Sequence, residues 1–411
     1  MRTYREFHRR SLDDRDGFWR EQAALVDWQT PFTSVLDYTR PPFAQWFVGG
    51  RTNLCHNAID RHLATRGDQA AVIYISTETG AAMRYTYREL HAEVNRCAAV
   101  LQSLGVGRGD RVLIYMPMIP EAMFAMLACV RIGAVHSVVF GGFAAASLAT
   151  RIDDARPKVM FTADAGMRGG KPVPYKHLVD EAMRLAAYPP ASVVIVDRGL
   201  DRDFPRVAGR AVDYASLRAA HMDASIPCAW LESSEPSYIL YTSGTTGKPK
   251  GVQRDTGGYA VALASSMRHI FEVAPGESFG FLGFDIRRVR SARGKWYALA
   301  TPKQKKRTEL LGRLREVFAS HRSQPVAHVI AKINPMLRGW VNYFAYGHSS
   351  VCFSFVRDWV DKKVRRHLAR NSKRSGFGWK RWSRRWLTTH LGLFADYRVN
   401  YGPRQKALPV R

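Results

Sequence analysis

The chain has 411 residues, 46% of them hydrophobic and 24% charged, an ordinary globular composition with room for two or three domains; it excludes wholesale disorder and collagen-like repetition. The 62 Lys and Arg against 35 Asp and Glu, a formal net charge of +27, are not ordinary. Residues 1–278 hold 32 of the bases and 29 of the acids, whereas 279–411 hold 30 bases and 6 acids, so the excess lies almost wholly at one end.

The first 60 residues are rich in aromatics, with turn signals at Pro41-Pro42 and Gly49-Gly50 and no long helical or strand period, and they are expected to form an irregular N-terminal cover. From about residue 70, short β-branched runs alternate with amphipathic segments, the pattern of a parallel sheet covered on both faces. Thr86-Tyr-Arg-Glu89 is a capping box, and Leu90, Val94, Cys97, Leu101 and Leu104 line one face of the helix it opens, which Gly105 ends. A strand is predicted at 111–115, a helix at 120–132, a buried strand at 137–140, a helix before Arg156-Pro157, and strands at 158–162 and 192–197.

The apolar stretch 112–143 is interrupted by Pro117, Pro120, Glu121 and Arg131, so it reads as strand, helix and strand, not as a membrane span. The start lacks the apolar core of a signal peptide. The five cysteines (Cys55, Cys97, Cys129, Cys228, Cys352) are scattered, odd in number and without a CxxC pair, which argues against a disulfide framework and a zinc site. A soluble protein of the reducing cytoplasm is expected, with no membrane partner.

A further strand, 237–241, is expected to be buried and to run into Thr242-Ser-Gly-Thr-Thr-Gly-Lys-Pro-Lys-Gly251. Small residues let backbone N–H groups approach phosphate oxygens, hydroxyls add donors, and Lys248 or Lys250 supplies countercharge. The loop is not a Walker A loop: Gly244-Thr-Thr-Gly247-Lys248 has the wrong spacing, and Pro249 stands where a magnesium-binding hydroxyl should open a helix. A flexible Gly/Ser/Thr linker shares the composition, but not the strand leading in or the interspersed lysines and prolines.

With this loop, the stretches Trp46-Phe-Val-Gly-Gly-Arg-Thr-Asn-Leu-Cys-His-Asn, Tyr115-Met-Pro-Met-Ile-Pro-Glu, Val138-Val-Phe-Gly-Gly-Phe143 and Thr162-Ala-Asp-Ala-Gly-Met-Arg-Gly-Gly-Lys171 resemble the short-chain acyl-CoA synthetases among the adenylate-forming enzymes. The wording of 167–174 and 251–258 is closer to the propionate-activating branch than to the acetate-activating one. The resemblance implies a fold, a truncated adenylate-forming α/β domain, and the use of ATP with magnesium and of CoA. It assigns Thr242, Ser243, Gly244, Thr245, Thr246, Gly247 and Lys248 to the ATP phosphates, and Phe140, Gly142, Arg168 and Lys171 to CoA. After residue 278 the family's acyl pocket, adenine contacts, metal-binding acid and adenylation lysine have no counterpart, so no catalytic residue is assigned and complete ligase turnover is not expected.

Beyond residue 278 the chain becomes basic and aromatic, with six of the ten tryptophans. Thr301-Pro-Lys-Gln304 is expected to cap a helix with Leu310, Leu311, Leu314, Val317 and Phe318 on its apolar side; further helices are expected at 326–344 and 353–368. Arg and Lys neutralise phosphates and planar groups stack on unpaired bases, so nucleic acid is favoured over a merely solvated surface or an anionic membrane. Lys332-Ile-Asn-Pro-Met-Leu-Arg-Gly-Trp-Val-Asn-Tyr-Phe344, Phe281-Leu-Gly-Phe284 and Leu391-Gly-Leu393 resemble the maturase-specific domain of group II intron proteins, which implies binding of intron-like RNA. The RNA candidates are Arg338, Arg365, Arg366, Lys380, Arg381, Arg384 and Arg385; Trp340, at helical spacing with Ile333, Leu337 and Phe344, is assigned to the core. The organisation expected is 1–60 N-terminal segment, 61–278 partial adenylate-forming domain and 279–411 small basic, mainly helical domain. The alternatives are a ligase completed by a partner chain and a non-functional rearrangement product.

Overall fold

Two helices, α1 (Tyr4–Asp13) and α2 (Arg15–Ala23), and a hairpin, β1 (Ser34–Arg40) and β2 (Phe43–Val48), make up most of the N-terminal segment. The irregular cover expected there is therefore regular in good part. Its elements are held by aromatic packing rather than by a periodic stripe: Trp19, Trp28, Phe32, Trp46 and Phe47 gather around Val26 and Val35. The computed structural model describes residues 4–76, 78–79, 81–168, 171–201, 210–242, 249–270, 279–281, 283–290, 296–345, 347–371 and 378–399. These pack as two units, Met1–Ile270 and Phe271–Arg411.

The first unit continues with α3 (Leu54–Ala58), β3 (Ala70–Ile75), β4 (Ala82–Thr86), α4 (Tyr87–Ser103), β5 (Arg111–Met116), α5 (Pro120–Ile132), β6 (Val135–Phe140), α6 (Ala145–Ala155) and β7 (Val159–Ala163). Then come β8 (Ala165–Arg168), β9 (Lys171–Pro174), α7 (Tyr175–Leu185), β10 (Ser192–Val196), β11 (Ala211–Asp213), α8 (Tyr214–Ala219), β12 (Pro236–Thr242), β13 (Lys250–Asp255) and α9 (Gly257–His269). The central sheet has the order β11-β10-β7-β5-β6-β12-β13, parallel except for the antiparallel last pair. This is the α/β architecture expected.

Alternation along β5 places Val112, Ile114 and Met116 in one core beneath α4 and α5, and Leu113 and Tyr115 in another beneath α6 and α7. The capping box at α4 is formed: Glu89 N donates to Thr86 Oγ1 at 3.1 Å and Thr86 N to Glu89 Oε2 at 2.7 Å. Thr86→Ala is expected to cost about 1 kcal/mol, read as a lower melting temperature of the full chain with its circular dichroism unchanged.

One strand departs from expectation. β12 is only partly buried, with Leu240 48% exposed, and beside it on β6 Val138 and Phe140 are also exposed, at 40% and 72%. The sheet is covered on both faces from β10 to β5 but open on one face at β6 and β12.

The second unit opens with an antiparallel meander that sequence reading missed: β14 (Phe279–Phe281), β15 (Phe284–Arg290) and β16 (Trp296–Pro302). Thr301 is part of β16, so it does not cap the next helix; α10 (Gln304–Ser320) starts behind Lys303 without a side-chain cap. α11 (Val326–Phe344), α12 (Ser350–Asn371) and the short α13 (Arg384–Thr389) complete a bundle around Leu314, Val329, Ile333, Leu337, Val356, Val360, Val364 and Leu387. Trp340 packs against Phe344 and Phe353, at ring separations of 4.7 and 5.8 Å, in the core role expected.

Candidate functional site

Of the phosphate-loop residues only Thr242 falls within the described part; Ser243, Gly244, Thr245, Thr246, Gly247 and Lys248 lie outside it. Thr242 ends β12 opposite Lys250, so the loop closes an antiparallel hairpin. A strand, not a helix, follows it, and α9 begins only at Gly257.

At the mouth of the hairpin, Tyr241 donates its hydroxyl to Asp154 Oδ2 at 2.5 Å. The Arg151 guanidinium lies over the rings of Phe143 and Tyr241, 4.5 and 5.5 Å from their centroids, with Nη1 donating to Ser147 O at 2.6 Å. Burial lowers the Arg151 pKa from its ordinary value.

The four CoA candidates lie on two segments that Tyr175 joins. Phe140 ends β6, and its ring fills the space that a Cβ on Gly142 would need, 2.5 Å away. The Tyr175 hydroxyl sits against both Gly141 and Gly166, so neither can carry a side chain without displacing it. This seam joins the 140–143 loop to the β8–β9 hairpin, where Arg168 and Lys171 are paired across the strands and both exposed. The hairpin is anchored from behind: Arg198 donates to Ala165 O at 2.9 Å and pairs with Glu78 at 2.5 Å, and Glu78 accepts from Met167 N at 3.3 Å. Two cations and an exposed aromatic ring suit a ligand with phosphates and a planar base.

In the second unit the candidates divide. Arg338, Arg366, Lys380, Arg381 and Arg385 are exposed. Arg365 is not: it is 2% exposed, donates Nε to Trp382 O at 2.8 Å and stacks on Trp379 at 4.3 Å, because position 365 follows Val360 and Val364 on the inner side of α12. Arg384 binds the buried Asp361 at 2.7 Å and Asp358 at 2.6 Å, fastening α13 to α12. Burial makes Arg365 a structural cation, which corrects its assignment to an RNA surface, whereas Arg384 stays exposed beside the carboxylates that hold it.

A different cationic stripe runs along α10 and α12. Val351, Phe355, Trp359 and Lys363 recur every four residues, so they share one side of the helix. Arg307 lies over Phe355 at 4.3 Å, and Arg315 and Lys363 lie over Trp359 at 5.8 and 5.3 Å. Burial, and then the charges of Arg366, Arg315 and Arg370, lower the Lys363 pKa. Like charges held together beside aromatic rings favour an anionic, planar ligand.

Residues 59–283 match the AMP-binding enzyme family, and residues 4–58 match the acetyl-coenzyme A synthetase N-terminus. The chain belongs to the AMP-binding enzyme family. Residues 307–386 match a second, unrelated family, the group II intron maturase-specific domain, so the chain is a chimera of the two. Propionate–CoA ligase of Escherichia coli (strain K12) is 59% identical over 284 residues, 69% of this chain and 45% of that protein. Acetyl-coenzyme A synthetase of Methylobacterium radiotolerans is 46% identical over 279 residues, 67% of this chain and 43% of that protein. Among solved structures, acetoacetyl-CoA synthetase from Streptomyces lividans aligns with a TM-score of 0.62 and 32% identity, over 67% of this chain and 42% of its own. The chain thus spans less than half the length of these relatives.

In the AMP-binding part, sequence reasoning missed Arg151, Phe143 and Asp154, which meet the loop hairpin only through the packing of α6 beside β12. In the maturase-specific part it missed Arg307, Arg315, Phe355, Trp359 and Lys363. The four-residue spacing of 355, 359 and 363 carried that signal.

Proposed function

We propose that the chain is a truncated ATP-dependent acyl-CoA ligase fragment of the propionate or acetate type joined to a domain that binds structured, intron-like RNA, and that RNA binding is the activity it retains. The observation that carries this reading is the change within the chain. The AMP-binding match stops at residue 283, and the basic unit beyond it presents the Arg307, Arg315, Phe355, Trp359 and Lys363 stripe. Phe355 and Trp359 would stack on unpaired bases while the cations, with Arg338, Arg366, Lys380, Arg381 and Arg385, neutralise phosphates.

In the first unit, residues 242–248 would hold the phosphates of ATP, with magnesium entering as the nucleotide's counter-ion, and Phe140, Gly142, Arg168 and Lys171 would face CoA. Holding phosphates is not sufficient for turnover, since the groups that position a carboxylate for attack and stabilise the developing charge must also be present. Pyrophosphate release from propionate, ATP and CoA is expected to stay at background for the full chain. Turnover above background by the chain alone would overturn the truncated reading.

A second reading is favoured by one observation, the open sheet face at Val138, Phe140 and Leu240. Exposed apolar side chains on an interior strand suit a complementing polypeptide that supplies the remaining half of the ligase. Adding the corresponding segment of a propionate–CoA ligase and recovering pyrophosphate release would select this reading; no recovery would discard it.

A further inference from the structure

We propose that Cys55 and Cys228 form an oxidisable dithiol, a modification site at which a hydroperoxide closes a disulfide between α3 and the segment before β12. The two residues are 173 positions apart, yet one side chain places both. Asn53 caps α3 by accepting from Cys55 N at 2.8 Å and His56 N at 3.1 Å, and its Nδ2 donates to Val130 O and to Ala229 O, each at 2.7 Å. The sulfurs of Cys55 and Cys228 and an oxygen of Asp60 then all lie within 4.8 Å of one another.

The same three groups could be taken for a metal site, but Arg131 argues against it. Its guanidinium spans both Asp60 oxygens at 2.9 and 3.0 Å, with Nη1 also 3.5 Å from Cys55 Sγ. A divalent cation on these donors would face a buried positive charge. For thiol chemistry the guanidinium stabilises the negative charge that Cys55 sulfur carries as it attacks, while the contact with Cys55, and then burial, push the Cys228 thiol up.

Accessibility sets the order of events. Cys55 is fully buried and Cys228 only partly so. Hydrogen peroxide meets Cys228 first: an S–O bond forms, the O–O bond breaks and one water leaves, giving a sulfenic acid. Cys55 sulfur then attacks Cys228 sulfur; the S–S bond forms, the S–O bond breaks, and the departing hydroxide takes the Cys55 proton as a second water. Two thiols are oxidised and one peroxide is reduced. Cys97 and Cys129 serve as internal controls, since both are fully buried and, unlike Cys228, expose no sulfur to peroxide.

The test is peroxide treatment of the full chain, alkylation and non-reducing tryptic mass spectrometry. The expected product is a peptide pair joining residues 55 and 228, 2 Da lighter than the sum of its thiol forms and released by dithiothreitol, with Cys97 and Cys129 alkylated as before. Closing so long a loop is expected to raise the melting temperature by roughly 5–10 °C. In Cys55→Ser the Cys228 sulfenic acid should persist and be trapped by dimedone. The proposal is overturned if the chain stays folded and no such peptide pair forms. Stoichiometric zinc binding that shields both thiols from alkylation would also overturn it.

Discussion

Raising the salt from 50 to 200 mM is expected to weaken the binding of a structured, intron-like RNA by the full chain roughly 100- to 1,000-fold. The reason is counterion release. About five phosphate contacts give a logarithmic slope near −4, and the second unit has 30 bases against 6 acids from residue 279 onward to make them. Arg315→Glu with Lys363→Glu should lower the slope by about 2, because each removes one phosphate contact. Phe355→Ala should lower affinity roughly 5- to 100-fold at fixed salt, the loss of one stacking platform, while leaving the slope unchanged. Phe355 is 47% exposed, so this change spares the core. Fluorescence anisotropy with labelled RNA measures all three quantities. Salt-independent binding, or an unaltered affinity in Phe355→Ala, would refute the assignment of this face to RNA.

Arg131→Ala is expected to destabilise the first unit by about 3–5 kcal/mol, since it leaves the Asp60 carboxylate without its buried partner. Arg131 also donates to Ile226 O at 2.6 Å, so the same change loosens the segment leading to Cys228. Burial works against the Asp60 charge, but hydrogen bonds from His91 and Arg131 and the guanidinium's own charge outweigh it and hold the carboxyl well below the usual carboxylate range. A carboxyl whose folded pKa lies below its unfolded value contributes stability above about pH 4, and that contribution is lost as pH falls toward the folded value.

His136 adds an acid-sensitive step at higher pH. Burial pulls its pKa down to about 4, and its Nδ1 has no hydrogen-bond partner among the described residues. Between about pH 6.5 and 4 the unfolded chain takes up a proton that the folded chain refuses, so stability falls as pH falls. Urea midpoints of the full chain measured from pH 7 to 3 should decline in two stages, and Arg131→Ala should make the lower one shallower, the other depressed carboxyls (Glu89, Glu93, Asp110, Glu235) keeping their share of it. A flat profile would refute both attributions.

Most of the helices and sheet strands were legible because their signals are local. The capping box at Thr86 and Glu89, Pro120 opening a helix, and the alternation through 111–116 each act over one or two turns or a few strand residues. The N-terminal helices and the meander at 279–302 were not, because aromatic clustering and hairpin pairing, rather than a hydrophobic period, hold them. The candidate sites divide in the same way. The grouping of Phe140 and Gly142 with the Arg168 and Lys171 hairpin rests on Tyr175 filling the space beside Gly141 and Gly166, a fit between elements that no spacing encodes.

By itself the sequence determined the two-part organisation, the α/β class, the phosphate-loop motif and the sign of the charge on the second part, because composition and local period suffice for these. The tertiary structure alone decided which cations face outward. Arg365 reads as exposed in a basic run, but turning α12 against its core buries it, while Arg384 stays exposed and is tied to Asp361 and Asp358. It also brought Cys55 and Asp60 together with Arg131 and Cys228 from three separate segments, since distance along the chain says nothing about proximity once parallel strands and their crossover helices have packed.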